Sequence, residues 1–187
     1  MKRILVTGGA GFIGSNFVHY MLGECDGLEL LVNLDLLTYA GNLENLAAVQ
    51  NDRRYVFVHG DIRDRVLVNE LFDKYDFDTV VHFAAESHVD RSILEPELFL
   101  TTNVVGTQCL LDAAKRHWNL EPDNKYCQEY REGVVYLWYP LMRSMVHWAR
   151  QVCSPKLRPS PPTAPTLPPK PVPTWWCVPI TKPTACP

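Results

Sequence analysis

No stretch of about 18 apolar residues occurs in this chain, which excludes a hydrophobic helix of membrane-spanning length. The opening Met1-Lys2-Arg3-Ile4 is basic, but the apolar run behind it breaks at Gly8-Gly9 and is too short for a secretory signal. No two of the six cysteines, at 25, 109, 127, 153, 177 and 186, stand in a Cys-x-x-Cys pair. That leaves neither a zinc ligand set nor a disulfide framework, so no metal is expected, and reduced thiols in a cytoplasmic protein are. There is no cationic surplus either: 18 Lys and Arg face 21 Asp and Glu, a net charge of −3, without the footprint of a nucleic-acid binder. Two further absences are local. No acidic residue follows Glu132 and no glycine follows Gly133. Twelve of the 15 prolines fall between Pro155 and Pro187, and four of the five tryptophans between Trp138 and Trp176. The first 132 residues carry 12 basic and 21 acidic side chains, the remainder six basic and none acidic. Two compositional rules meet near residue 135.

What is present begins at once. Ile4-Leu5-Val6 runs into Thr7-Gly8-Gly9-Ala10-Gly11-Phe12-Ile13-Gly14, a strand entering a glycine-rich turn and then a helix. This is the entry to a dinucleotide-binding βαβ unit. Gly8 permits the sharp turn, Gly11 has no Cβ to hold a pyrophosphate off, and Gly14 lets the helix pack close. The helix start offers unpaired N–H groups and a positive dipole end to phosphates. Leu30-Leu31-Val32-Asn33-Leu34 reads as the second strand and ends at Asp35. A carboxylate there accepts from both hydroxyls of an adenosine ribose and repels a 2′-phosphate, favouring NAD over NADP.

The alternation continues. Helices are expected over about 12–23, 43–50, 64–74 and 96–117, with strands over about 3–7, 29–34, 55–58 and 79–83. Strands rich in β-branched residues separated by helical segments give an α/β fold, a Rossmann-like doubly wound parallel sheet reaching about strand five. Ligands of such sheets bind outside the carboxyl ends of the strands. The loops after Val6, Leu34, Val58 and Phe83 therefore share a rim, the last reading Ala84-Ala85-Glu86-Ser87-His88-Val89-Asp90-Arg91-Ser92. Two alanines admit a flat cofactor, and polar groups follow. The plainer alternatives are a solvated loop capped at Ser92, and Asp61 as a helix cap rather than an acceptor from adenine. His82, inside a strand, reads as a core histidine.

The glycine loop, Asp35 with Thr38-Tyr39-Ala40-Gly41-Asn42-Leu43, Gly60-Asp61-Ile62, Ala84 through Ser92, and Thr102-Asn103-Val104-Val105-Gly106-Thr107 together resemble the extended short-chain dehydrogenase/reductases. Within them they are most similar to the dTDP-glucose 4,6-dehydratase family. The glycine loop is common to the superfamily, whereas Thr-Tyr-Ala-Gly-Asn and Ala-Ala-Glu-Ser-His-Val-Asp-Arg-Ser are far more specific. The resemblance covers residues 1 to about 137. It implies NAD as cofactor, dTDP-glucose as substrate, a homodimer in intact homologues, and a reaction in three parts. The C4 hydroxyl is oxidised by hydride transfer, water is eliminated across C5 and C6, and the hydride returns to C6.

Carried over by position, the resemblance places Gly8, Gly11, Phe12, Ile13 and Gly14 at the pyrophosphate and Asp35, Leu36, Leu37 and Thr38 at the adenosine. Asp61 and Ile62 lie beside the adenine, and Phe83, Ala84, Ala85, Glu86 and Ser87 toward the nicotinamide. Thr102 comes from the long helix, and Ser87 also touches substrate. One departure is Asp35-Leu36-Leu37-Thr38, where the family usually has Asp-Lys-Leu-Thr. The family's catalytic groups sit in a Thr-Asp-Glu segment and a Tyr-x-x-x-Lys. This chain contains neither, so no catalytic residue is assigned.

The reading frame accounts for that. Read from the last base of each codon into the next, Trp138 through Ala149 forces valine once and glycine twice. The remaining codons permit Val-Ser-Thr-Asp-Glu-Val-Tyr-Gly-Ser-Leu-Gly. Pro162 through Lys170 likewise permits Asn-Ser-Pro-Tyr-Ser-Ala-Ser-Lys. Residues 1–137 are thus expected to form an incomplete NAD-binding domain, and 138–187 a disordered, proline-rich frameshift product. Two other readings stand beside this one: a fragment of a nucleotide-sugar 4-epimerase, and a non-catalytic NAD-binding or interaction module whose proline-rich tail recruits a partner.

Overall fold

The computed structural model describes residues 2–121, 124 and 129–139. The expectations for the proline-rich segment, from residue 140 on, lie outside the described residues. Five strands form one parallel sheet: β1 (Lys2–Thr7), β2 (Leu28–Asp35), β3 (Tyr55–His59), β4 (Thr79–His82) and β5 (Val135–Trp138), in the order β3-β2-β1-β4-β5. β1 is central, with Leu5 opposite Val32 of β2 on one side and Val80 of β4 on the other. The β5 strand runs through the expected 137/138 boundary and sets Trp138 opposite His82.

Successive β1 residues feed opposite cores, which is why its apolar run is unbroken. Ile4 and Val6 pack with Phe17, Val18 and Met21 of α1 (Phe12–Glu24). Leu5 packs on the other face with Phe72 of α2 (Arg65–Tyr75) and Leu110, Ala114 and Trp118 of α5 (Thr107–Trp118). Trp118 is fully buried, and its indole N–H donates to the Phe77 carbonyl at 2.7 Å. The sheet is covered on both faces, the doubly wound arrangement.

Several details differ from the sequence expectation. The segment at 43–50 forms only a short 3-10 turn, Leu43–Leu46, started by Asn42 and burying Leu46 alone. Beyond Leu46 only Val49, partly buried, packs on the same core. The loop after β4 contains a short helix, α3 (Val89–Leu94); Ser92 lies inside it and is not its cap. Ile93 and Leu94 point outward, so no apolar period announced it. The α2 cap is Asp64, whose carboxylate accepts from the Val66 and Leu67 N–H groups, and not Asp61. The single helix expected over 96–117 is three pieces: α4 (Pro96–Leu100), a π-helical turn Thr101–Gly106, and α5. Gly106 lets this helix approach Ile62, whose side chain would stand 2.6 Å from an added Cβ.

Cys109 is a buried free thiol. Among the described residues no helix is long and apolar enough to cross a membrane.

Candidate functional site

The chain steps outward from β1 to β2 and β3 on one side and then crosses from β3 to β4 on the other, so the strand order reverses beside β1 and opens a crevice at the carboxyl ends. A cavity of about 590 Å³ lies there, lined by the glycine turn and the loops after β2, β3 and β4.

The turn is shaped by close approach. Gly8 has φ +72°, and a Cβ on it would lie 2.5 Å from the Ala84 backbone nitrogen. A Cβ on Gly14 would overlap the Gly8 carbonyl, so α1 can sit this close only with glycine there. The start of α1, at Gly11, carries no side-chain cap, leaving its first N–H groups free for an anion. Asp35 is buried and tied to the turn: Oδ2 accepts from Ala10 N–H and Oδ1 from Leu37 N–H, both at 2.8 Å. The loop after β2 is pinned to the same place, because Asn42 N–H and the Asn45 amide both donate to the Ala10 carbonyl.

Across the cavity, Asp61 accepts from the Arg63 N–H at 2.8 Å and from its guanidinium. Burial pushes the Asp61 carboxyl up, but the Arg63 hydrogen bonds and charge outweigh it and hold the group below its usual range. Arg63 also reaches Thr101 at 3.2 Å, joining this loop to the π-turn. Asn103 of that turn clamps the β4 loop. Its Oδ1 accepts from Glu86 N–H at 2.8 Å, and its Nδ2 donates to the Glu86 carbonyl at 2.9 Å. Glu86 is 6% exposed, and its Oε2 is buried without a hydrogen-bond partner among the described residues. At the rim, Arg91 lies 4.6 Å over the Tyr39 ring, which meets His88 edge-on at 6.2 Å.

Of the residues singled out in the sequence, Gly8, Gly11, Phe12, Ile13, Gly14, Asp35, Leu36, Thr38, Asp61, Ile62, Phe83, Ala84, Ala85, Glu86, Ser87 and Thr102 all line this cavity. Leu37 does not. Its backbone is left-handed, φ +54°, and its side chain packs toward the α1 core instead. Tyr39, Arg63, Arg91, Leu98 and Tyr139 line it without having been assigned to it. Tyr39 and Arg91 belong to the motifs already quoted, whereas Leu98 and Tyr139 carry no local signal. His82 is a core residue and not part of the lining. No cluster of three metal-ligating side chains occurs among the described residues.

Residues 5–129 match the family described as GDP-mannose 4,6 dehydratase. The dTDP-glucose 4,6-dehydratase of Shigella flexneri is 51% identical over 123 residues, 66% of this chain and 34% of the relative. The crystal structure of the Streptomyces venezuelae dTDP-glucose 4,6-dehydratase, with NAD bound, is 53% identical with a TM-score of 0.58, over 62% of this chain and 36% of that one. A UDP-glucose 4-epimerase of Thermotoga maritima, solved with UDP-glucose, is 29% identical with a TM-score of 0.57, over 73% and 37%. The chain spans about a third of the length of the curated relatives it matches.

Proposed function

The chain belongs to the GDP-mannose 4,6 dehydratase family, and from that premise we propose that its described residues are the NAD-binding part of a nucleotide-sugar 4,6-dehydratase acting on dTDP-glucose. The observation that carries the reading is the cavity at the switch point, where the glycine turn and Asp35 are hydrogen-bonded into one rim. Identities of 29–37% to epimerases, against 43–55% to dehydratases, favour the dehydratase.

The residues present fit the cofactor. The cavity has the size of a small-molecule site. The α1 N–H groups stand uncapped where a pyrophosphate would lie. Each Asp35 oxygen holds one backbone N–H and keeps acceptor capacity for a ribose hydroxyl. The orphaned Glu86 oxygen offers a further acceptor. In this reading Gly8, Gly11, Phe12, Ile13 and Gly14 hold the pyrophosphate, and Asp35, Leu36 and Thr38 the adenosine. Asp61 and Ile62 border the adenine, while Phe83 through Ser87 and Thr102 hold the nicotinamide half, Ser87 also meeting the sugar.

Bound there, NAD supplies reversible acceptance of hydride from a sugar alcohol. The chain's own residues bind, orient and exclude water. Asp35 disfavours a 2′-phosphate by charge, and the alanines keep the floor flat. The steps that need proton transfer have no residue here, because the Thr-Asp-Glu and Tyr-x-x-x-Lys segments are missing from the sequence as written. General acid–base groups of this kind contribute about 10²–10⁴-fold each.

The 187-residue chain is therefore expected to turn over no dTDP-glucose, while a gene with one base restored near codon 137 encodes an active enzyme. The assay is the alkali-sensitive absorbance of the 4-keto-6-deoxy product, beside calorimetric titration with NAD and NADP. Turnover by the chain as written refutes the frame argument. Absence of NAD binding in both proteins refutes the cofactor reading.

A further inference from the structure

Thr7 of β1, His82 of β4 and Thr107 of α5 form a buried line of polar side chains outside the cavity lining. The His82 Nδ1 lies 2.7 Å from the Thr7 hydroxyl, and its Nε2 lies 2.9 Å from the Thr107 hydroxyl. The proton of Thr107 is already committed: it is donated to the Asn103 carbonyl at 2.7 Å. The Thr107 oxygen can then only accept from the imidazole, which places the ring proton on Nε2. Nδ1 is left as an acceptor and takes the Thr7 hydroxyl proton. Every donor in this line has a partner. The neutral ring persists at ordinary pH, because burial pushes the His82 pKa down to about 4.

The line ends at the site. The carbonyl that receives the Thr107 proton belongs to Asn103, whose side chain grips the Glu86 backbone by both its N–H and its carbonyl. Neighbouring Thr102 lines the cavity, as Ala85, Glu86 and Ser87 do. A hydroxyl that bonds a carbonyl one turn back competes with the regular ladder and bends a helix. Here that bond falls within the π-turn, and turns of this kind often mark functional sites.

We propose that His82 is a positioning residue that fixes Thr107 and, through the Asn103 carbonyl, the π-turn, so that Asn103 holds the Glu86 loop in its cofactor-binding shape. The role rests on the cofactor reading above.

The test uses the 187-residue chain and Thr107→Val, which keeps the shape and removes the hydroxyl, with Thr107→Ser as the conservative variant. Exchange of the Glu86 amide hydrogen is read by NMR without ligand, with the Val32 amide in the central sheet as reference. Thr107→Val speeds Glu86 exchange at least tenfold relative to Val32, and Thr107→Ser retains the wild-type rate. NAD affinity follows the same order, with a loss of at least fivefold in Thr107→Val. Unchanged Glu86 protection in Thr107→Val overturns the proposal. A second measurement needs no variant: the ¹⁵N spectrum of His82 in the wild-type chain shows a neutral ring protonated at Nε2, and a proton on Nδ1 overturns the proposal independently. Absence of NAD binding in both the 187-residue chain and the frame-restored protein overturns the cofactor reading alone, since the exchange and tautomer readouts need no ligand.

Discussion

Acid should loosen this fold through one residue well before its carboxylates matter. His82 is buried with both ring nitrogens occupied, and desolvation takes its pKa from 6.5 to about 4. The folded pKa lies below the unfolded one, so the unfolded chain takes up the proton first as pH falls. The stability this represents is whole above pH 6.5 and is lost as pH falls toward 4. Taking about 1.36 kcal/mol per pH unit of difference, the loss from this one group is about 2 kcal/mol at pH 5 and about 3 kcal/mol at pH 4. That is a large share of a domain's typical stability of about 5–15 kcal/mol.

Urea unfolding followed by far-UV circular dichroism at pH 7.5, 6, 5 and 4 measures it. The comparison is with His82→Gln, which can both donate and accept but does not titrate. Its stability starts lower, and the slope across this window flattens by the amount just worked. His117, whose pKa burial also lowers, contributes equally to both proteins and cancels. Asp52, held at about 2 chiefly by its side-chain hydrogen bond from Arg54, titrates below the window. Parallel slopes in wild type and His82→Gln would refute the reasoning.

Three further outcomes can be checked. Asp35→Ala weakens NAD about tenfold or more and NADP far less, since a hydrogen bond to a charged group contributes about 1.5–3 kcal/mol; equal losses in calorimetric titrations refute the ribose assignment. Gly14→Ala pushes a methyl group into the Gly8 carbonyl, lowering stability by about 1–3 kcal/mol in urea unfolding and weakening NAD, as overpacking does. Tyr39→Ala removes the ring beneath Arg91 and speeds NAD release several-fold in stopped flow, whereas Tyr39→Phe, which keeps the ring face, leaves it near wild type.

The parts of the fold that the sequence showed plainly are those where burial on both faces leaves no freedom. The apolar run of β1 is unbroken because successive residues face one core or the other, and the parallel sheet follows from the βαβ alternation. The parts it concealed are held by single contacts or by polar groups. α3 leaves Ile93 and Leu94 exposed, so they give no period to read. At the π-turn the Thr107 hydroxyl meets the carbonyl four residues back and Gly106 meets Ile62, both facts of three-dimensional contact.

The same division runs through the site. The glycine turn and Asp35 announce themselves because each position demands one residue type. Leu37 was drawn into the site by its neighbours in sequence, but a left-handed backbone at that residue turns its side chain toward the α1 core. Arg91 stood in a motif yet was given no place, since only the fold brings it over Tyr39. His82 was read as a core histidine, and it is one. The sequence could not show that its two partners, 75 residues before it and 25 after, would place it within a chain of hydrogen bonds leading to Glu86. A buried polar residue acquires its meaning from partners distant in sequence, and a periodicity argument has no access to them.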